Sequence, residues 1–189
     1  MWNKKDNIAG GSPEEIIRKK LENYRQKRDI GELLRSVVII FAVCFVVFGL
    51  LFGLGRVKGN SMHTTLCDKD FVLLWRPVRE YQRGDIIFFR NENENKEVVK
   101  RIIGMPGETV DIDSQGTVYI DGEALDEDYT TSFTAERSDG IKFPVQLEDE
   151  EYFVMGDNRA VSYDSRDIGP IQRKDIDGKV IFVARYNIQ

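Results

Sequence analysis

Histidine and cysteine are scarce in this chain of 189 residues, which contains one histidine, His63, and two cysteines, Cys44 and Cys67. Zinc and other soft metals are held by three or four such ligands at short spacing, so we expect no metal site. Cys44 lies inside a long apolar run and Cys67 lies beyond it, so we also expect no disulfide between them. The chemistry of this protein is therefore expected to need neither a metal nor another cofactor.

Positive charge is also short over most of the chain. The formal net charge is -5, and residues 56–189 hold 18 Lys and Arg against 26 Asp and Glu. Nucleic acid is bound by basic surfaces, so this balance argues against a nucleic-acid partner. The length and the apolar fraction of 41% allow one globular unit with room for a small inserted lobe.

Residues 37–54, VVIIFAVCFVVFGLLFGL, contain no charged residue. A helix of this length spans roughly 27 Å, close to the hydrocarbon thickness of a bilayer. We therefore predict a transmembrane helix over residues 36–55, with the lipid bilayer as a partner. The alternative is a cleaved secretory signal peptide, which the small residues of Gly53-Leu54-Gly55 would favour, but its apolar region usually covers only about 7 to 15 residues.

Charge on either side of the apolar run predicts the orientation of the span. Residues 1–35 hold nine Lys and Arg, whereas only Arg56 and Lys58 follow the run directly. Positive charge stays on the cytoplasmic side, so we predict a single-pass protein of the cell membrane with residues 1–35 in the cytoplasm and residues 56–189 forming an extracytoplasmic domain. Within residues 1–35, Ser12, Pro13 and Glu15 predict the start of a short polar helix over about residues 14–29, on the membrane surface or in a solvated tail.

Beyond residue 55, short runs of β-branched and aromatic residues alternate with turn residues, which is typical of antiparallel sheets. The predicted fold is mainly β: an antiparallel β-rich body, preceded by one N-terminal transmembrane helix. An acidic, polar excursion over about residues 114–151 is predicted to form a peripheral lobe, and Asp121-Gly122 to form a tight hairpin turn. We predict strands at residues 71–75, 85–90, 97–103, 108–112, 117–120, 152–155 and 180–185.

Ser61 follows Gly59 and Asn60 just beyond the apolar run. Peptide hydrolysis without a metal needs a nucleophile, a base and donors for the oxyanion, and Ser61 can be the nucleophile. In an extended segment the side chain of His63 would lie about 6 to 7 Å away, beyond the reach of about 3 Å that a base requires. A Ser-His pair is therefore disfavoured, and lysine is the remaining candidate base.

The segment VVKRII at residues 98–103 offers an apolar setting for such a lysine. In a strand, Lys100 and Arg101 point to opposite faces, and the alternation does not decide which of the two is buried. Burial lowers the pKa of lysine from about 10.4, while guanidinium stays protonated, so Lys100 is the better candidate. An ordinary strand whose basic residues reach solvent is the alternative that this segment leaves open.

Four segments of the chain match, in order, those of the bacterial type I signal peptidases: GNSMHTTL at 59–66, RGDIIFFR at 83–90, VVKRIIGMPGETV at 98–110 and GDNRAVSYDSRDIG at 156–169. With the N-terminal anchor, the chain resembles this family of membrane-bound serine-lysine endopeptidases. The resemblance implies that Ser61 is the nucleophile and Lys100 the general base. It also implies a β-rich catalytic body with a smaller inserted cap.

The same resemblance implies supporting roles for residues of the polar loop at residues 156–166. It implies that Ser162 orients the lysine amine, that Asp164 and Arg166 pair to hold the loop, and that Asp157 and Arg101 support the site. Loops this polar are otherwise commonly just surface.

Two positions depart from the family pattern. Thr64 stands where proline is usual, and Gly59 stands where some members carry a hydroxyl that assists the oxyanion. The oxyanion hole is therefore expected to rest on backbone N–H groups, including that of Ser61, in the region of Gly59.

By this resemblance, the protein cleaves signal peptides from exported preproteins after small residues of the Ala-x-Ala type. Its partners are then the signal peptides of preproteins at the membrane surface. One alternative is a non-catalytic, membrane-anchored assembly factor on the same scaffold, and another is a related enzyme dedicated to a few surface proteins. A self-cleaving serine-lysine regulator would instead need a DNA-binding or cleavage-site segment where this chain has its apolar run.

Overall fold

The computed structural model describes residues 13–91, 96–130 and 132–186. Helix α1 covers Pro13–Leu51 and is continuous over 39 residues, so the polar helix and the apolar span are one element and not two. The helix begins at the predicted place, while Ser12 lies outside the described residues. Its most apolar 18-residue window has a mean hydropathy of 2.7, so it is long and apolar enough to cross a membrane. Residues up to Phe48 and residues from Gly49 onward form two compact units.

The apolar run does not stay helical to residue 55. Helix α1 ends at Leu51, and strand β1 (Phe52–Arg56) pairs in antiparallel fashion with strand β2 (Phe71–Trp75). The backbone N–H of Arg76 donates to the Leu51 carbonyl at 3.0 Å, and its guanidinium donates to the Gly49 carbonyl at 3.1 Å. These bonds satisfy carbonyls that a helix end leaves without partners. The predicted span of 36–55 is thus four residues too long, because composition alone does not separate a short apolar strand from a helix.

The unit from Gly49 onward is built on antiparallel strands, which confirms the predicted fold class. Among the described residues, the larger sheet has the order β1-β2-β11-β3-β4-β9-β10. Apart from β1 and β2, its strands are β3 (Ile86–Asn91), β4 (Lys96–Gly104), β9 (Glu151–Met155), β10 (Ile171–Gln172) and β11 (Ile176–Ala184). A short helix α2 (Ser165–Ile168) and a 3-10 turn (Arg173–Asp175) connect β9, β10 and β11.

A smaller antiparallel sheet is inserted between β4 and β9. Its order is β7-β6-β5-β8, with β5 (Thr109–Ile112), β6 (Val118–Ile120), β7 (Glu123–Ala124) and β8 (Val145–Gln146). Asp121 and Gly122 both have positive φ in the turn between β6 and β7, as their sequence predicts. The first strand of this sheet begins at Thr109, before the lobe predicted at residues 114–151. We call residues 109–146 the insert.

One of the buried apolar clusters of this unit lies on one face of β2 and its neighbours. Val72 and Leu74 are buried there, together with Phe88 and Val99 of the adjoining strands. The alternate residues of β2 lie on the outer face. Phe71 is exposed, and Leu73 and Trp75 are partly exposed, so these three side chains do not belong to the core. Leu54 and Phe182, which flank Leu73 in the sheet, extend this apolar outer face, and both are exposed.

Candidate active site

Ser61 lies on the segment that leaves β1, between two buried anchors. Val57 is buried and exchanges backbone hydrogen bonds with Lys69 and Asp70, and Met62 is buried directly after Ser61. The apolar side chain of Met62 belongs to the same core cluster as Val57, so the chain on both sides of Ser61 is fixed by packing.

Lys100 lies on β4 opposite Ile87 of β3, and its side chain is only 4% exposed. Its Nζ atom is 2.8 Å from Ser61 Oγ, within hydrogen-bond distance, although the two residues are 39 positions apart in the chain. Burial lowers the pKa of Lys100 to about 8, although the nearby carboxylate of Asp164 acts to raise it. The amine can therefore be neutral near physiological pH and accept a proton from the serine hydroxyl.

Asp164 and Arg166 form a fully buried pair beside this lysine. Arg166 donates through Nε to one carboxylate oxygen at 2.9 Å and through Nη2 to the other at 3.0 Å. Burial acts to raise the pKa of Asp164, but the hydrogen bonds and charge of Arg166 outweigh it and hold that pKa below its usual range. Asp164 also caps α2 and accepts from the Gly156 N–H at 3.1 Å, so one carboxylate holds both ends of the polar loop.

Arg101 and Asp157 form a second bidentate pair on the other face of β4. Arg101 donates through Nε and Nη2 to the two oxygens of Asp157 at 2.8 and 2.7 Å. Arg101 also donates to the Gly84 carbonyl at 2.9 Å and to the Thr65 hydroxyl at 3.3 Å. The guanidinium thus connects β4 to the segment after Ser61 and to the polar loop, and Arg101 is not available as a base.

Ser162 and Ser61 approach each other across Gly156. A Cβ atom placed on Gly156 would lie 2.3 Å from Ser162 Oγ and 2.4 Å from the Ser61 carbonyl oxygen. Ser162 is buried, and its hydroxyl lies near the Asp164 carboxylate, whose pKa it helps to lower. Only glycine at residue 156 permits this approach of the loop to the serine.

One backbone donor of the predicted oxyanion region is already engaged in the structure. The N–H of Gly59 donates to the Asp68 carboxylate at 2.8 Å, so it is already engaged. The N–H of Ser61 makes no hydrogen bond with the residues that the structure describes, and it is free to bind a substrate oxygen. Gly59 has φ of 81°, which places it in the left-handed region that favours glycine.

Two cavities open beside the serine. A wide, open cavity of about 460 Å³ is lined by Ser61 and Lys100 and also by Asn60, Asn91 and Asn158. A small cavity of about 50 Å³ adjoins Ser61 and is lined by apolar residues, among them Val57, Met62, Phe88 and Val99, and by as many polar or charged ones. A serine hydroxyl within hydrogen-bond distance of a buried amine, beside an N–H without a partner in the described chain and a small pocket, is an arrangement that suits peptide hydrolysis.

Comparison with known proteins identifies the family to which this geometry points. Residues 30–185 match the family model described as signal peptidase, peptidase S26. The chain belongs to the signal peptidase family. As a member of this family it is a hydrolase of the signal peptidase I type, which confirms the resemblance stated from its four segments.

Curated relatives of this signal peptidase match along most of their length. Signal peptidase I of Bacillus licheniformis is 34% identical over 172 residues, covering 86% of this chain and 92% of the relative. Signal peptidase I S of Bacillus subtilis is 35% identical over 175 residues, covering 87% and 94%. A crystal structure of a signal peptidase I from Enterococcus faecalis is 32% identical, with a TM-score of 0.47, and the match covers 55% of this chain and 99% of that one.

The structure of this signal peptidase brings all of the predicted site residues into one region, and it adds two that the sequence did not indicate. Asn158 donates its backbone N–H to the Ser61 carbonyl at 2.9 Å and its side-chain amide to the Asn60 carbonyl at 3.2 Å. Arg159 is fully buried. Both residues stand in the polar loop next to Asp157, but polar character alone does not indicate which members of a loop face inward.

Proposed function

We propose that this protein is a membrane-anchored endopeptidase that uses Ser61 and Lys100 as a catalytic dyad to remove signal peptides from exported preproteins. The distance of 2.8 Å between Lys100 Nζ and Ser61 Oγ, at a buried lysine, is the observation that carries the proposal. The contacts described above support the dyad, and they involve Asp164, Arg166, Asp157, Arg101 and Ser162. The non-catalytic alternative receives no support, because the chain is a hydrolase by family.

The reaction begins when neutral Lys100 accepts the hydroxyl proton of Ser61 and the serine oxygen attacks the scissile carbonyl carbon. The tetrahedral oxyanion binds the Ser61 N–H. As the C–N bond breaks, the lysine ammonium returns its proton to the leaving amine, and an acyl-enzyme ester remains. Lys100 then takes a proton from water, whose oxygen attacks the ester carbon. As the bond from that carbon to Ser61 Oγ breaks, the lysine ammonium returns the proton to Oγ, and the signal peptide leaves with a free carboxyl end.

Substrate preference follows from the small cavity beside Ser61. We expect a peptide with alanine at the first and third positions before the cut to be cleaved, and leucine at the first position to lower kcat/KM by about 5- to 150-fold. A larger side chain does not fit a cavity of about 50 Å³ without displacing its packed walls, and such overpacking costs about 1 to 3 kcal/mol or more. Cleavage of synthetic peptides, followed by chromatography, measures the ratio.

The matched control peptide carries leucine at the second position before the cut and should be cleaved within a fewfold of the alanine peptide. Equal cleavage of the peptides with alanine and leucine at the first position would contradict the assigned pocket.

We also propose that helix α1 anchors the enzyme in the membrane with its N-terminal end in the cytoplasm and residues 56–189 outside. The charge balance on the two sides of the apolar run supports this orientation. The exposed apolar side chains of Leu54, Phe71 and Phe182 on one sheet face support contact of that face with the bilayer surface.

The orientation is tested by protease protection of cells stripped of their wall. A membrane-impermeant protease should digest a tag placed after Gln189 and leave a tag placed before Met1 intact, as read by immunoblot. The opposite pattern, or digestion of both tags without permeabilisation, would reverse or remove the proposed topology.

A further inference from the structure

Three side chains of the insert contact the polar loop and strand β4 behind the dyad. Thr130 Oγ1 donates to the Asp157 carbonyl at 2.7 Å. The ring of Tyr129 lies against the Arg101 guanidinium, with 4.2 Å from Cζ to the ring centroid. Glu127 accepts two hydrogen bonds from Arg159, one of them at 3.1 Å. We call Glu127, Tyr129 and Thr130 the clamp.

Tyr129 acts on the arginine that follows the proposed base directly in the chain. The aromatic ring covers one face of the Arg101 guanidinium, while Asp157 engages its edge in two hydrogen bonds. A cation held over a ring in a desolvated setting is stabilised by up to about 2 kcal/mol. The ring therefore restricts the position of Arg101 and, through the β4 backbone, that of Lys100.

Glu127 acts on the polar loop, which binds the Ser61 carbonyl. Arg159, its partner, donates through Nε to the Gly156 carbonyl at 3.0 Å. The residue between Asp157 and Arg159 is Asn158, whose N–H binds the Ser61 carbonyl. Because Arg159 is fully buried, removing the charge of Glu127 would leave a buried guanidinium poorly compensated, and the loop would have to shift.

A hydrogen bond between the clamp residues couples these two paths. Tyr129 Oη donates to Glu127 Oε1 at 2.7 Å. Burial and the charge of Glu127 raise the pKa of Tyr129, so the phenol keeps its proton and remains the donor. The carboxylate is thus shared by Arg159 on the nucleophile side and by the ring that covers Arg101 on the base side.

We propose that Glu127, Tyr129 and Thr130 are positioning residues. They hold Arg101 and residues 156–159 of the polar loop in place, and so set the distance between Lys100 Nζ and Ser61 Oγ. The inference rests on the proposed function, since it needs Ser61 and Lys100 to be the reacting groups. It assigns the insert a catalytic task that is separate from substrate binding, because none of the three side chains lines either cavity beside Ser61.

Tyr129→Leu and Glu127→Gln test the clamp in the full-length, detergent-solubilised enzyme with the alanine peptide as substrate. We expect each to lower kcat about tenfold or more with KM within twofold of wild type, because misplacement by about 1 Å costs up to about 100-fold in rate. Tyr129→Phe keeps the ring over Arg101 and should retain kcat within about threefold. Rates are expressed per folded molecule, with the folded fraction taken from circular dichroism.

Tyr119→Phe is the matched control, since Tyr119 also donates to a carboxylate of the insert, that of Asp113 at 3.2 Å, but contacts no loop residue in the hydrogen bonds described. It should leave kcat unchanged. The clamp is refuted if Tyr129→Leu and Glu127→Gln keep kcat within twofold, if they raise KM alone, or if Tyr129→Phe is as impaired as Tyr129→Leu. Failure of the dyad itself would be seen separately, as cleavage by Ser61→Ala.

Discussion

Replacing Lys100 with methionine should abolish cleavage of a preprotein, with kcat/KM falling at least about 1,000-fold while the protein stays folded. Methionine has nearly the same length and suits a side chain that is 4% exposed, but it cannot accept the serine proton. Ser61→Ala removes the attacking oxygen and should have an equal effect. Processing of a radiolabelled preprotein, resolved by gel electrophoresis, measures both variants.

Lys174→Met is the control for the loss of a lysine, because Lys174 is exposed on the 3-10 turn. It should process the preprotein at the wild-type rate. Cleavage by Lys100→Met within tenfold of wild type would refute the assignment of the base.

The same lysine should be visible in the pH dependence of the wild-type enzyme. The active form is the neutral amine, and the pKa of Lys100 is lowered by burial to about 8. Asp164, Asp157 and Asp167 act to raise this pKa, and Arg166 acts to lower it. Activity should therefore rise with pH, falling about tenfold for each pH unit below about 8 and levelling off above it. A flat profile of kcat/KM from pH 6 to pH 9 would contradict a lysine base.

Gly156→Ala should lower kcat about 100-fold or more although it adds a single methyl group. The new Cβ atom would lie 2.3 Å from Ser162 Oγ and 2.4 Å from the Ser61 carbonyl oxygen, distances that no real contact of this kind tolerates. The Ser61 carbonyl belongs to the backbone, so relief requires the loop or the nucleophile segment to move. Displacement of the reacting atoms by a fraction of an ångström to 1 Å accounts for the loss. Peptide cleavage rates together with thermal unfolding measure the effect.

Gly107→Ala separates damage to the site from loss of stability. Gly107 has φ of 82°, so alanine is strained there, but its Cβ atom would meet nothing within 4 Å. Backbone strain should lower the free energy of unfolding of this variant by about 1 kcal/mol, so that it unfolds at a lower temperature than the wild-type protein. Its kcat should stay unchanged. If Gly156→Ala keeps kcat within fivefold, the close approach is not required for catalysis.

Much of the fold is predictable because strand composition is a local signal. Runs such as Phe71–Trp75 and Tyr152–Met155 carry β-branched and aromatic residues between turn residues, and the structure places strands at these positions. The segments that were missed lack such a signal. Strand β1 continues an apolar run that reads as helix, and β7, β8 and β10 have two residues each.

The candidate site is likewise predictable from the sequence only in part. The matching segments indicate Ser61 and Lys100, because each of these two reactive residues stands in a recognisable local pattern. The clamp is not indicated, since Glu127, Tyr129 and Thr130 stand in an acidic, polar stretch that resembles solvated surface. Their importance depends on which buried guanidiniums they meet, and those belong to β4 and to the polar loop.

By itself, the sequence determined the apolar helix, the antiparallel strand pattern and the identity of the family. Only the tertiary structure decided that α1 ends at Leu51, that Lys100 faces the serine while Arg101 faces Asp157, and that Gly156 admits both serines. The physical reason is that alternation in a strand defines two faces without saying what lies against either. That choice is made by the pairing of β4 with β3 and β9 and by the loop that packs behind them.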